Sequence, residues 1–169
     1  MKKLCLLITA CLFLLIGCDM DADPLAYQNG SIHCTVAFSL GESEYEATVS
    51  LSAPREDGTR EREIVIESPE TLRGVCVNST ADGTYLILDG IKMPIPETSL
   101  SGFFDITDAF SIDGNIESIE TEDGVNVISI LSEAGRYRVY LDSATRTPKR
   151  IAFSGAARDI EIRIKNFNK

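Results

Sequence analysis

Histidine and tryptophan are nearly missing from this chain of 169 residues, which contains no tryptophan and one histidine, His33. No cluster of histidine and cysteine residues with the spacing of zinc ligands occurs in the sequence. His33 is followed directly by Cys34, and neighbouring side chains on a strand point to opposite faces. The two therefore do not form a nucleophile–base pair. We expect a protein that is not an enzyme and holds no metal.

Basic residues are scarce as well. The chain has 16 lysines and arginines against 26 aspartates and glutamates, a formal net charge of −10. Nucleic acids and anionic lipid surfaces are bound by basic surfaces. The charge therefore excludes nucleic acid as a partner. The carboxylates fall on outward positions of the predicted strands, where solubility alone explains them.

A long apolar run is absent too. The N-terminal run from Leu4 to Ile16 is too short to span a bilayer as a helix, and it follows Lys2 and Lys3. Two basic residues, a short apolar core and then small residues are typical of a secretory signal. We therefore predict a cleaved signal peptide over residues 1–17.

The end of this run, Leu15-Ile16-Gly17-Cys18, resembles the bacterial lipobox. This resemblance implies a diacylglycerol thioether and acyl groups on Cys18, and we expect no other cofactor. Residues 18–30 would then be the lipidated cysteine and a short polar tether. Cleavage removes two lysines and leaves a net charge of −12. The expected location is the extracytoplasmic side of the cell membrane.

Two further cysteines remain in the mature chain, Cys34 and Cys76, each within an apolar stretch typical of a strand. An exported protein can form a disulfide, but two cysteines do not make a disulfide framework. Isolated cysteines behave as small hydrophobic residues. We expect two free thiols, with a disulfide as the alternative.

From Ser31 onward, apolar residues recur with a period of two, which predicts strands that are buried on one face. The final strand shows the pattern best, with Ile160, Ile162 and Ile164 facing inward. Tight turns separate about nine such strands, and a mainly β, antiparallel fold follows. Helical spacing of apolar residues predicts one helix over residues 98–111. Residues 90–96 contain two prolines and are predicted to be irregular.

The width of the sheet predicts its shape. Nine strands spaced about 4.8 Å apart make a flat sheet roughly 40 Å wide, which a helix about 10–12 Å across cannot cover. We therefore expect one domain over residues 31–169, a half-barrel curled around a central helix. An incomplete plug would leave an apolar cavity, and a filled core is the alternative. The predicted lining is Val36, Phe38, Val49, Leu51, Leu100, Phe103, Phe104 and Phe110.

The strand order, the element at residues 68–72, the interrupting helix and the run at residues 141–151 resemble the LolA/LolB-like superfamily of bacterial lipoprotein carriers. The resemblance covers residues 31–167. It implies a half-barrel that holds acyl chains between a curved sheet and a helical lid, with a lipid or a lipid-modified protein as ligand. Because this chain is itself anchored, we expect an acceptor or sensor. The alternative is an anchored protein–protein interaction module of an envelope complex, without a ligand.

Replacing Cys18 tests the anchor. The Cys18→Ala variant should lose metabolic labelling by a radioactive or clickable fatty acid, because no thiol is left at the lipobox to accept the lipid. Labelling that persists in this variant would contradict the assignment. Cys34→Ala is the matched control and should label like the wild type.

Overall fold

The fold is one antiparallel sheet with a single short α-helix, seen in a computed structural model that describes residues 23–156 and 159–168. The predicted signal peptide and Cys18 lie outside these residues. The strands are β1 (Ile32–Leu40), β2 (Ser43–Leu51), β3 (Arg62–Ser68), β4 (Cys76–Thr80), β5 (Gly83–Leu88), β6 (Ile91–Pro94), β7 (Asn115–Glu122), β8 (Val125–Leu131), β9 (Gly135–Asp142), β10 (Pro148–Gly155) and β11 (Asp159–Asn168), and the helix is α1 (Ser101–Asp108).

The sheet consists of two meanders joined along one seam. The strand order is β6-β5-β4-β3-β2-β1-β11-β10-β9-β8-β7, so β1 and β11 pair and the two halves become continuous. The sheet is curled and unclosed, with β6 and β7 as its edges. The predicted mainly β half-barrel is confirmed.

The sheet has eleven strands, more than the nine or so predicted, and β6 lies in the stretch that was predicted to be irregular. The turn before it, Asp89-Gly90, has positive φ at both residues (51° and 79°). Such a two-residue turn matches the twist of a hairpin, so Ile91 pairs with Leu88. Pro94 fits because proline is tolerated on an edge strand, where its missing N–H faces no neighbour.

The core lies on the concave face of the sheet. Every second residue of a strand points to this face, and its side chain contacts those of the neighbouring strands. One row runs through paired residues Val77, Ile64, Val49 and Cys34. Each of these is at most 2% exposed. In the last strand Ile160, Ile162 and Ile164 are buried while their neighbours are exposed, as the alternation predicts.

Helix α1 lies on the connection between the two edges, from the end of β6 to the start of β7. It is shorter than the predicted helix over residues 98–111. A separate 3-10 turn, Glu97–Leu100, precedes it, and the backbone of Leu100 (φ −125°) interrupts the helical path. After Asp108 the chain turns, and this places Phe110 and Ile112 in the core.

Packed structure also occurs before residue 31, in the described part of the predicted tether. Residues Ala26–Asn29 form a 3-10 turn, and Tyr27 is 1% exposed. Its ring packs edge-on against Phe167 of β11, with centroids 6.2 Å apart. Burial of an aromatic ring outweighs the polar character of its neighbours in sequence. Tyr27 therefore belongs to the core.

Gly135, at the start of β9, is the described glycine that should tolerate substitution least. Its φ is +150°, and a Cβ there would collide with the carbonyl oxygen of Ser154. Gly135→Ala should lower the free energy of unfolding by about 1–3 kcal/mol, measured by urea unfolding. Gly30→Ala is the control, since Gly30 has negative φ and nothing within 4 Å of the added carbon. Equal effects of the two substitutions would contradict this explanation.

Candidate functional site

Most of the predicted cavity lining is packed as core. Val36, Phe38, Val49, Leu51, Phe104 and Phe110 are each at most 4% exposed, and Leu100 and Phe103 are partly buried against them. The fold therefore brings the eight residues together in one hydrophobic cluster.

Aromatic rings hold the start of the helix. Phe38 of β1 and Tyr45 of β2 are stacked with centroids 5.5 Å apart, and Phe103 meets both edge-on at 6.2 and 5.8 Å. Edge-to-face and offset-stacked pairs add about 0.5–1.5 kcal/mol beyond their burial. These ring contacts hold the start of α1 against β1 and β2.

Arg62 of β3 holds the other end of the helix. Its Nη1 lies 2.7 Å from a carboxylate oxygen of Asp108, and the guanidinium lies 5.8 Å from the ring centroid of Phe104. The ion pair is partly exposed, so it contributes at most about 1 kcal/mol. The hydroxyl of Thr107 donates to the Phe104 carbonyl oxygen at 2.8 Å, which satisfies the buried hydroxyl locally.

Of five surface cavities on the described residues, with volumes of about 100 to 730 Å³, none has Val36, Val49, Phe103, Phe104 or Phe110 in its walls. Phe38 and Leu51 border two shallow depressions. An acyl-sized cavity beneath α1 therefore stays a prediction.

The largest of these five cavities, about 730 Å³, lies over Ala152 on the outer face and is bordered by Arg138, Arg163 and Glu161. Ala152 pairs with Arg138 and Glu161, on the face opposite the buried Ile151. Its walls combine charges of both signs, unlike the apolar space that the sequence predicts.

The concave face does continue beyond the helix to both edges of the sheet. On the β5–β6 side Leu88, Ile91 and Met93 are 41%, 65% and 38% exposed. Met93 pairs with Leu86 and Leu88 pairs with Ile91, so these side chains share the face of the buried Val77. We call Leu88, Ile91 and Met93 the β6 flank.

The β7 side shows the same arrangement. Ile116 and Ile119 pair with the buried Ile130 and Ile128, and they are 43% and 54% exposed. Neither flank was predicted from the sequence. The β6 flank was missed because Pro94 indicates a break in a strand, although the spacing of Ile91 and Met93 is typical of one.

The thiols are structural. Cys34 and Cys76 are free, as predicted, and their burial raises the pKa of the first to about 12 and of the second to about 11. Cys34 faces the core, whereas Cys76 pairs with Val65 on the outer face. Because the thiolate is the reactive form, both are poor nucleophiles at neutral pH.

His33 lies on the outer face, as predicted, with Nδ1 3.0 Å from the Ser50 hydroxyl. Among the described residues there is no group of three or more histidine, cysteine or acidic side chains placed to hold a metal ion. Nor is any helix in that part of the chain long and apolar enough to cross a membrane.

Known proteins match this chain in fold but not in sequence. No protein-family model matches it, and no curated protein does. An uncharacterised conserved protein from Thermus thermophilus matches with a TM-score of 0.51 at 15% identity, covering 87% of this chain and 83% of the other.

Two other solved structures match more weakly. A putative outer membrane lipoprotein-sorting protein domain from Vibrio parahaemolyticus has a TM-score of 0.47 at 14% identity, covering 85% of this chain and 88% of the other. A LolA superfamily protein from Nitrosomonas europaea has a TM-score of 0.43 at 10% identity, covering 83% and 86%. The second of these two structures bears the name of the superfamily that the sequence resembles. Identities this low show the fold alone.

Substitution of the two neighbouring phenylalanines of α1, Phe103 and Phe104, should lower the free energy of unfolding by different amounts. Phe104 is 4% exposed, so Phe104→Ala should lower the free energy of unfolding by about 3–5 kcal/mol through lost burial and a new void. Phe103 is only partly buried, so Phe103→Ala should cost clearly less. Urea unfolding of both variants gives the comparison. Equal losses would show that Phe103 is as deeply packed as Phe104.

Proposed function

We propose that this protein is a membrane-anchored extracytoplasmic lipoprotein that binds or senses an apolar ligand, a lipid or the acyl chain of a lipid-modified protein, on its concave face. It acts by binding and not by catalysis. The anchor is supported by the lipobox at Cys18, and the acyl ligand by the resemblance to lipoprotein carriers.

One observation supports an apolar ligand. Seven large apolar side chains are exposed in the described part of the chain, and five of them lie on the concave face at its two flanks. Two edges of one face would not collect them if exposure were random, and such patches mark binding sites on soluble domains. The ligand position that fits is beside α1, against the β6 flank.

Apolar contact with the β6 flank sets an upper limit on the affinity for an acyl chain. Each methylene that leaves water contributes about 0.8 kcal/mol. About six methylenes lying against the β6 flank would therefore contribute at most roughly 5 kcal/mol, so the dissociation constant of this contact is no lower than the order of 10⁻⁴ M. Displacement of α1 from Phe38 and Tyr45 would extend the contact into the predicted cavity.

The anchor would keep this face near lipid. Only four residues lie between Cys18 and Asp23, the first described residue, so five Cα–Cα steps join the two. A fully extended chain of that length reaches about 17 Å. The domain would therefore remain within about 20 Å of its own anchor, where lipids and lipid-modified proteins are concentrated.

The second candidate function is an anchored protein–protein interaction module of an envelope complex. It is favoured by the packing of the eight predicted cavity residues, which leaves no opening beneath α1 among the five cavities described. In this case the flanks would contact a partner protein, and no lipid would be retained.

The test replaces an exposed side chain of the β6 flank. Ile91→Gln should weaken binding of palmitate to residues 23–169 by roughly tenfold, since it removes about 1.5–3 kcal/mol of apolar contact at most. Titration calorimetry or native mass spectrometry measures the change. Stability should be almost unchanged, because Ile91 is already 65% exposed.

Leu131→Gln is the matched control, since Leu131 is 46% exposed but lies on the outer face, next to the buried Ile130 in sequence. It should leave palmitate binding unaltered. Equal losses in the two variants, or no palmitate binding by the wild type, would remove the lipid function and favour the interaction module.

A further inference from the structure

The two edges of the sheet differ in their ability to accept another strand. β6 has four residues and ends at Pro94, which has no N–H to donate. β7 has eight residues and contains no proline, and it pairs with β8 on one side only among the described residues. Exposed edges of this kind present unpaired N–H and C=O groups, which native proteins usually block.

The register shows which backbone groups of β7 are free. The Asp123-Gly124 turn has φ values of 51° and 76°, typical of a two-residue hairpin closed by the pair Glu122 and Val125. In an antiparallel ladder, residues that bond the neighbouring strand alternate with residues that face away. The N–H and C=O of Thr121 and Ile119 therefore point to the open edge.

A bulge limits the accessible stretch. The register between β7 and β8 shifts between Ile116 and Ser118, and a bulge bends the edge away from a regular ladder. The regular part of the edge is therefore residues 118–122. Five residues match the length of an ordinary short strand.

The two faces of this stretch have different chemistry. On the concave face Ile119 is 54% exposed and borders a cavity of about 100 Å³, together with Pro24, Asn126, Ile128, Leu141 and Arg146. On the outer face Glu120 and Glu122 are exposed, and neither forms an ion pair with another described residue.

We infer that β7 is a docking edge for an extended peptide segment of a partner protein, in which apolar and basic residues alternate. The backbone of the segment pairs with Ile119 and Thr121 as a twelfth strand. Its apolar side chains lie beside Ile119, over the small cavity, and its basic side chains face Glu120 and Glu122. Recognition by strand addition obtains affinity from the main chain and specificity from alternate side chains.

Charge argues against a second copy of this chain as the occupant. Two β7 strands side by side would bring Glu120 and Glu122 of each copy close to those of the other, and like charges on neighbouring strands are destabilising. β6 of a second copy offers four residues and no N–H at Pro94. A basic segment from a different protein fits both the backbone and the charge.

The test uses the full chain, purified from membranes in detergent, and the synthetic peptide acetyl-(Val-Lys)₃-amide. Calorimetry should show binding, and hydrogen exchange should show protection of the Ile119 and Thr121 amides when the peptide is present. The same peptide with N-methyl groups on alternate residues keeps its charge but cannot form the ladder, and it should bind at least tenfold more weakly. Acetyl-(Val-Glu)₃-amide should not bind.

Variants of the protein distinguish the contribution of the β7 edge to peptide binding from the contribution of the protein's overall negative charge. Glu120→Lys with Glu122→Lys should weaken peptide binding at least tenfold. Glu42→Lys with Glu56→Lys makes the same change of net charge in exposed turns and should alter affinity less than twofold. Ile91→Gln should leave peptide binding unchanged, so failure here and failure of lipid binding are distinguishable.

Three results would overturn the inference: no binding of acetyl-(Val-Lys)₃-amide at about 1 mM, equal affinity for the N-methylated peptide, or equal losses in the two pairs of lysine variants. The second and third would show that the peptide is held by charge alone.

Discussion

The pairing of β1 with β11 is the contact on which the rest of the structure depends. It joins the beginning and the end of the domain, with Phe38 opposite Ile162 and His33 opposite Asn168. Without it the chain would be two separate meanders, each with one apolar face in water. The seam makes those faces continuous, so that one set of buried side chains stabilises both halves. The bulge between Thr35 and Val36 adds local twist, which helps the sheet curl.

The position of the helix follows from this seam. Because β1 and β11 are at the centre, β6 and β7 are the outer edges, and the segment that joins them must cross the concave face. That segment contains α1, whose eight residues span about 12 Å, whereas eleven strands are roughly 50 Å wide before curling. Helix α1 can therefore cover only the middle. The exposed flanks are a direct result of the ratio between these two widths.

The periodicity of the sequence determined most of this architecture. A strict period of two fixes which residues of β1, β2 and β11 face the core, since a slip of one position would expose every one of them. The number of strands and their tight turns predict an antiparallel sheet, and its width against one helix predicts the curl. The sequence also determined the opposite directions of His33 and Cys34, through the same alternation.

Only the tertiary structure decided where that pattern is overridden. Tyr27 belongs to a polar stretch, but Phe167 lies beside it and supplies a surface on which its ring is buried. Pro94 predicts a break, but it lies on an edge where a missing N–H is harmless. The helix ends early because Phe110 and Ile112 are buried in the core. Exposure of Ile91 and Ile119 depends on how far α1 reaches across the sheet, a distance in space that no local pattern of residues encodes.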